Sequence, residues 1–414
     1  MERIQQQLMY CLAAYRLGDK QAQTVQGMTP ADWGALHDLA MIHKMEAIVL
    51  DTLWQDPAFC ADSPELRALW KKQAVRQAVQ QTLHSRCVMQ LGALLTQNQI
   101  PYAVVKGLVC RELYARPDLR VSGDEDVYIL PQDQKRCARL LEENGFCKVA
   151  LGTEQDVTHW MDHQTGLHVE LHTHLIAAEQ EQAVWLDQLF AAGLADGVEI
   201  PVTDGVIRTL QPTLHFVFLV CHALKHFLTG GFGIRTLCDM VAFADRYRTE
   251  IDFAQASALL ERVRAKIFLD QIFAVGQHWL GFDPAEIGWR FSAPPQELPL
   301  LQDCLDAGVY GQSTMSRKHS AGLVLEAGES RGRLRQVTGV LFPPREKLAG
   351  KYPQLNQHPA LLPACWAHRL GKYALEVARN TGRENSPRES LELGRQRAAM
   401  MVQYGIFPER SKKK

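Results

Sequence analysis

Two aspartates, Asp124 and Asp126, stand two residues apart in "SGDEDVYIL", directly after a glycine. Side chains alternate along an extended strand, so this spacing sets both carboxylates on one face, with Glu125, Val127 and Ile129 on the other. Like charges that close repel unless a cation, a proton or open water relieves them. Magnesium suits such a pair, because it is hard and oxygen-seeking and keeps room for water and substrate phosphates. Ions held by shared carboxylates serve in-line attack on phosphorus, stabilising the attacking and departing oxygens. That chemistry commonly takes a third acid from a neighbouring strand. Glu170 in "GLHVELHTHL" is the candidate; it shares a face with His168, His172 and His174. Gly107, opening a short helix, lets backbone approach phosphate closely. Lys106 and Arg120 are the nearby cations that could neutralise phosphate charge.

These residues need strands to hold them. "YAVV" after Pro101 reads as a buried strand, and "DEDVYIL" as a second. Leu108 to Tyr114 fits a short helix before Arg116-Pro117, and 131–144 a helix stopped by Asn144-Gly145. The segment between Gly145 and Gly166 reads as polar and loop-like, and "GLHVELHTHL" as a further strand. Glu125 would face the core side, which leaves the strand edge partly solvated. Around this core the pattern is helical. Thr29 and Ser63 are expected N-caps, each followed by proline. "PTLHFVFLVCHALKHFLTGG" is an apolar helix whose Lys225 and His226 are candidates to reach nucleotide or acceptor. Arg235 and Asp239, four apart, are expected to pair along a helix. "SRKHSAGLVLEAGESRGRLRQ" is expected to be a mobile loop, and "RSKKK" a solvated tail.

The whole chain bounds these readings. Its 414 residues suit two or three domains. The expected boundaries are 1–99, a helical region; 100–204, the α/β core; and 205–414, a mainly helical region. The fold class is α/β (α+β), with a small mixed sheet flanked by helices. No apolar run is long enough to cross a membrane, and the first residues lack the pattern of a signal peptide. Ten cysteines are scattered without a CxxC pair, the usage expected of reduced thiols in the cytoplasm. A net charge of −1 gives no case for a nucleic-acid polymer as partner.

The run "VVKGLVCRELYARPDLRVSGDEDVYIL" resembles the nucleotidyltransferases of the DNA polymerase beta superfamily. It is more similar still to a less characterised bacterial nucleotidyltransferase family within it. Lys106-Gly107, the Tyr114-x-x-Pro117 turn, Arg120 and the Asp-x-Asp strand carry the likeness. "VELHTHL", "CHALKHF", "GIRTLCDMVAF", "LFPPREKLAGKYPQ" and "CWAHRLGKY" extend it. The resemblance implies Mg2+ (or Mn2+) on Asp124, Asp126 and Glu170, an NTP donor with ATP the first expectation, and an acceptor the sequence does not identify. It implies that Glu170 could also assist deprotonation of the acceptor. Two positions depart from the family pattern. Leu108 follows Gly107 in place of serine, so backbone amides, Lys106 or Ser122 would have to meet the phosphates. Glu125 replaces an apolar residue.

Two other readings stand beside this one. A catalytically idle descendant of the fold would keep nucleotide or partner binding without turnover. A metal hydrolase would use His222 and His226, four apart beside Cys221, completed by His168, His172 or His174. That helix lacks the glutamate of a His-Glu-x-x-His arrangement.

Overall fold

A computed structural model describes residues 1–19, 22–150, 156–176, 181–292, 297–308, 345, 348, 352–356, 358–366, 368 and 387–406. The expected loop at 316–336 and the basic tail lie outside the described residues. Contacts divide the chain into two compact units, residues 1–223 with 234–302, and residues 224–233 with 303–414.

The first unit opens with helices α1 (Arg3–Leu17), α2 (Pro30–His43), α3 (Glu46–Leu53), α4 (Pro57–Asp62) and α5 (Pro64–Gln97). Thr29 caps α2 as expected: its hydroxyl accepts from the Asp32 amide, and the Asp32 carboxylate accepts from the Thr29 amide. Such a reciprocal box stabilises a helix start by about 1 kcal/mol. Ser63 makes no side-chain cap, so α5 starts on Pro64 without one.

Strands β1 (Tyr102–Val105), β2 (Asp124–Ile129), β3 (Phe146–Val149), β4 (Val157–Asp162) and β5 (His168–His172) form one sheet in the order β1-β2-β5-β4-β3. Only β2 and β5 run parallel; the other pairs are antiparallel. This is the mixed α/β core expected. The stretch between Gly145 and Gly166 is not merely a loop: β3 and β4 pair there as a hairpin that closes the sheet beside β5. A parallel pair needs a crossover, and helix α6 (Gly107–Arg111) precedes β2 while α7 (Gln134–Glu143) and the hairpin supply the route to β5.

Register then decides what each face holds. Asp126 pairs with Glu170 and Asp124 with His168, while Glu125 pairs with Val169 and Val127 with Leu171. Val127, Ile129, Val169 and Leu171 are buried, each contributing about 1.5–3 kcal/mol of apolar burial. The opposite face carries the acids and histidines, and along β5 its side chains are half-buried. Beyond the sheet come α8 (Glu181–Gly193), the hairpin β6 (Val198–Val202) and β7 (Gly205–Thr209), then α9 (Pro212–Thr229), α10 (Ile234–Arg246), α11 (Phe253–Arg262) and α12 (Lys266–Trp279). Phe216 stacks on Phe243 and Phe273, tying α9, α10 and α12 together.

In the second unit, helix Pro387–Gln403 carries a buried Arg397, which donates to the Phe227 carbonyl and lies 3.5 Å from Asp303. A separate small core joins Leu348, Leu355 and Cys365.

Candidate active site

Period two on β2 and β5, and antiparallel pairing with β4, bring six side chains onto one face: Asp124, Asp126, His168, Glu170, His172 and His159. The Asp126 carboxylate is the centre. Lys106 Nζ lies 2.8 Å from its Oδ2, and His172 Nε2 lies 2.9 Å from its Oδ1. His172 Nε2 is also 3.5 Å from Glu170 Oε2. Burial alone would raise Asp126, but the Lys106 charge and the His172 hydrogen bond hold it far below the usual carboxylate range. Burial would lower His172, yet hydrogen bonds to Asp126 and Glu170 outweigh it and raise the imidazole to about 9. The pair is therefore an imidazolium on a carboxylate. Glu170 feels burial as well, but His172 keeps it below its ordinary value. Such a carboxylate is a better cation ligand than proton acceptor.

Asp124 behaves oppositely. Burial, then the charge on Asp126, pushes it up. Its ionisation responds to Asp126, Lys106 and Glu170. Among the described residues, two groups have ligand atoms within 4.8 Å of one another: Asp126, Glu170 and His172, and His159, His168 and Glu170. Asp124 stands beside these groups and belongs to neither.

The donors suit a divalent cation. Two carboxylates on register-paired positions converge beside the His172 imidazolium that holds them, and Asp126 Oδ2 accepts no well-directed hydrogen bond although Lys106 Nζ is at ion-pair distance. A cation on that oxygen requires the lysine to turn aside.

Lys106 is held by its backbone. Its φ is +58°, a left-handed value that a side chain adopts only under constraint. The constraint is a histidine that the sequence did not reveal, His215 on α9. The Thr209 hydroxyl gives its one hydrogen to the Val104 carbonyl at 2.7 Å, so its oxygen accepts from His215 Nδ1 at 3.0 Å. His215 Nε2 is left as the acceptor for the Lys106 amide, at 3.2 Å. A protonated ring would set N–H against N–H. Burial independently pushes His215 from 6.5 down to about 3. A histidine with a depressed folded value gives stability that is full above the unfolded value and lost as pH falls toward the folded one. From 6.5 downward, wild type should lose stability through this group, by about 2 kcal/mol at pH near 5. His215→Gln, which can donate and accept but does not titrate, should flatten that slope in urea denaturation at about pH 7 and 5. Parallel slopes would sink the neutral assignment.

Glu125 organises the other side of the same turn. It is fully buried, which corrects the expectation of a partly solvated edge. Its Oε2 accepts from the Leu108 amide at 2.7 Å. Its Oε1 accepts from Arg111 Nη2 at 2.6 Å and from the Ser122 hydroxyl at 2.7 Å. Gln81, on α5, links Arg111 and the Ser122 amide through its Oε1. Gly107, at φ +21°, fits tightly here, since a Cβ would come 1.9 Å from Glu125 Oε2 and the carboxylate or the backbone would have to shift.

The remaining predicted residues fall as follows. Arg120 is buried on Asp239, which also accepts from the Tyr114 hydroxyl at 2.8 Å. Asp239 is thus taken by these two rather than by an Arg235 pair along α10; Arg235 donates to the Val121 carbonyl at 2.6 Å. Both contacts fix the loop entering β2. Lys225 is exposed and His226 half-buried near the end of α9, within the second unit. His222 Nε2 is 3.1 Å from Lys106 Nζ. His174 pairs with Asp187 on α8 at 2.6 Å, apart from the cluster.

A family described as an uncharacterised nucleotidyltransferase matches residues 29–281, a span that includes strands β1 to β7 and the helices α2 to α12. No curated protein and no solved structure matches the chain.

Proposed function

The chain belongs to this uncharacterised nucleotidyltransferase family, and from that premise we propose that it moves a nucleoside monophosphate from an NTP to an acceptor, releasing pyrophosphate. The observation that carries the reading is the register pairing of Asp126 with Glu170, under a lysine ammonium at 2.8 Å. Asp124, Asp126 and Glu170 would hold Mg2+ or Mn2+, which when bound supplies charge stabilisation at the α-phosphate. ATP is the first donor to try. The acceptor oxygen attacks the α-phosphorus, and the bond to the β-phosphate breaks.

The protein's own groups have defined work in this. Lys106 exchanges its contact with Asp126 for the triphosphate, a cation for a mobile anion. Its direction is fixed at the backbone by His215. His172 holds Asp126 and Glu170 in place as a shared donor. Gly107 keeps the turn tight against Glu125. Arg120 and Ser122 act here as supports of the strand entry, since each is bound within the protein.

A second reading, an idle nucleotide-binding descendant, draws on a specific observation. The Leu108 amide, available to phosphate in a Gly-Ser turn, is occupied by Glu125. The hydrolase reading has less behind it, since among the described residues neither ligand group includes Cys221, His222 or His226.

The deciding experiment follows melting temperature with each Mg-NTP, and label transfer from α-labelled NTPs into a cell extract. The expected result is a rise in melting temperature with at least one Mg-NTP and label in a discrete acceptor. No shift and no label with any NTP would overturn the proposal. A shift without label would favour the idle descendant.

A further inference from the structure

Glu170 has two oxygens, and they face different histidines. Oε2 looks toward His172 and Asp126 at 3.5 Å from the His172 ring. Oε1 looks across the sheet toward His159, 3.6 Å from its Nδ1. His159 is the direct antiparallel partner of Glu170, and His168 precedes Glu170 by two on the same face. One nitrogen from each ring and one Glu170 oxygen lie within 4.8 Å of each other. The rings of His159 and His168 stack nearly parallel, with centroids 5.3 Å apart.

The polar satisfaction of this trio is incomplete. His159 Nδ1 and His168 Nε2 are both buried ring nitrogens without a hydrogen-bond partner among the described residues. A buried polar atom left unpaired is costly, and the two rings that carry these atoms are the ones whose ligand atoms gather with Glu170. Neighbouring His172 shows the contrast, with its Nε2 fully engaged by Asp126 and Glu170. The His159 and Glu170 side chains remain 14% and 24% exposed, so an ion and its water have a way in.

We infer that His159, His168 and Glu170 form a second cation site, for a divalent transition metal of the zinc class, bridged through Glu170 to the Asp126 cluster. Two imidazoles and one carboxylate are the donor set that zinc takes at sites keeping an open coordination position. Magnesium disfavours it, because nitrogen donors select borderline transition ions over hard ones. The two ends of Glu170 thus serve different chemistries: oxygen-rich on the Asp126 side, nitrogen-rich on the His159 side. The site stands whether or not the chain transfers nucleotides, since its ligands need no nucleotide.

The test uses the full chain stripped of metal with a chelator and titrated with Co2+, whose visible absorption reports coordination by nitrogen and oxygen. The expected result is saturable binding of one Co2+ per chain, displaced by Zn2+ and not by excess Mg2+. His159→Leu and His168→Leu should each weaken binding by at least about 10–100-fold, the loss known even for outer-shell changes. His163→Leu, at an exposed position on the turn between β4 and β5, should bind as wild type. Melting in chelator reads whether each variant folds. X-ray absorption at the cobalt edge of wild type is independent of any variant, and should count two imidazoles. Binding unchanged in both histidine variants, or an edge spectrum without imidazole, overturns the inference. The Mg-NTP melting shift is read on the same samples. Its absence beside intact Co2+ binding would remove the transferase reading alone; its presence without Co2+ binding would remove the second site alone.

Discussion

Asp124→Asn and Asp126→Asn should both cost transfer about 10²–10³-fold, the scale of one preorganised electrostatic contact in an active site, yet move stability in opposite directions. The structure makes the two aspartates unlike. Asp124 is pushed up by burial and then by Asp126 and Glu170, so its ionised form is penalised in the fold. A carboxyl raised above its unfolded value contributes stability at low pH that declines as pH rises through the folded value. At neutral pH its charge is a burden, and Asn removes it. Asp124→Asn should melt above wild type in chelator.

Asp126 carries the reverse sign. Lys106 and His172 overcome its burial and hold it far below the ordinary aspartate value of 3.8. Its stabilisation is present above the unfolded value and is lost as pH falls through the folded one. Asp126→Asn leaves Lys106 and His172 facing a neutral amide. Breaking one side of a buried ion pair costs about 3–5 kcal/mol, so this variant should melt well below wild type. The comparison is made by calorimetry in chelator near neutral pH, with transfer assayed separately under Mg-NTP. Equal melting of both variants would show that the charge asymmetry around Asp126 is not what the fold relies on. Retained transfer in Asp126→Asn would end its assignment as the central ligand.

What the sequence revealed and what it hid follow from the range of each interaction. The Asp-x-Asp spacing, the strand at β5 and the placement of Glu170 depend only on period two and were legible. The hairpin of β3 and β4 was not. In β4 the apolar Met161 faces solvent while Trp160 and Asp162 are buried, so alternation reads with the wrong sign. Missing β4 meant missing His159, which matters only through its register with Glu170. His215 was hidden for another reason. It is one polar residue in an apolar helix, and its partner amide lies 109 positions away. Glu125 could be assigned to the inner face by alternation, but nothing local announced Arg111 as its counter-ion. Charge pairs that close at a turn are set by the fold, and their members look like ordinary polar residues until it forms.

That hidden pair yields the second large effect. Glu125→Ala should destabilise the chain by about 3–5 kcal/mol, because it leaves the Arg111 guanidinium buried without its carboxylate. Burial is already the largest influence on Arg111, lowering it against the pull of Glu125. The Leu108 amide and the Ser122 hydroxyl lose an acceptor at the same time. Gly107→Ala should reach a similar loss by another route. Its Cβ would overlap Glu125 Oε2 at 1.9 Å, so the carboxylate must leave its donors or the backbone must shift. If displacement of Glu125 is the cause, the two changes are not additive. With Glu125 already alanine, Gly107→Ala should cost less by roughly 0.5–3 kcal/mol, the range for residues in direct contact. Replacing Arg111 by Met together with Glu125 by Leu should recover much of the loss, since an apolar pair escapes the desolvation that a buried ion pair carries. Urea denaturation of the single and double variants measures all of this. Strict additivity of Gly107→Ala and Glu125→Ala would mean that the glycine is needed for its own backbone angle, and that the buried carboxylate does not shape the turn bearing Lys106.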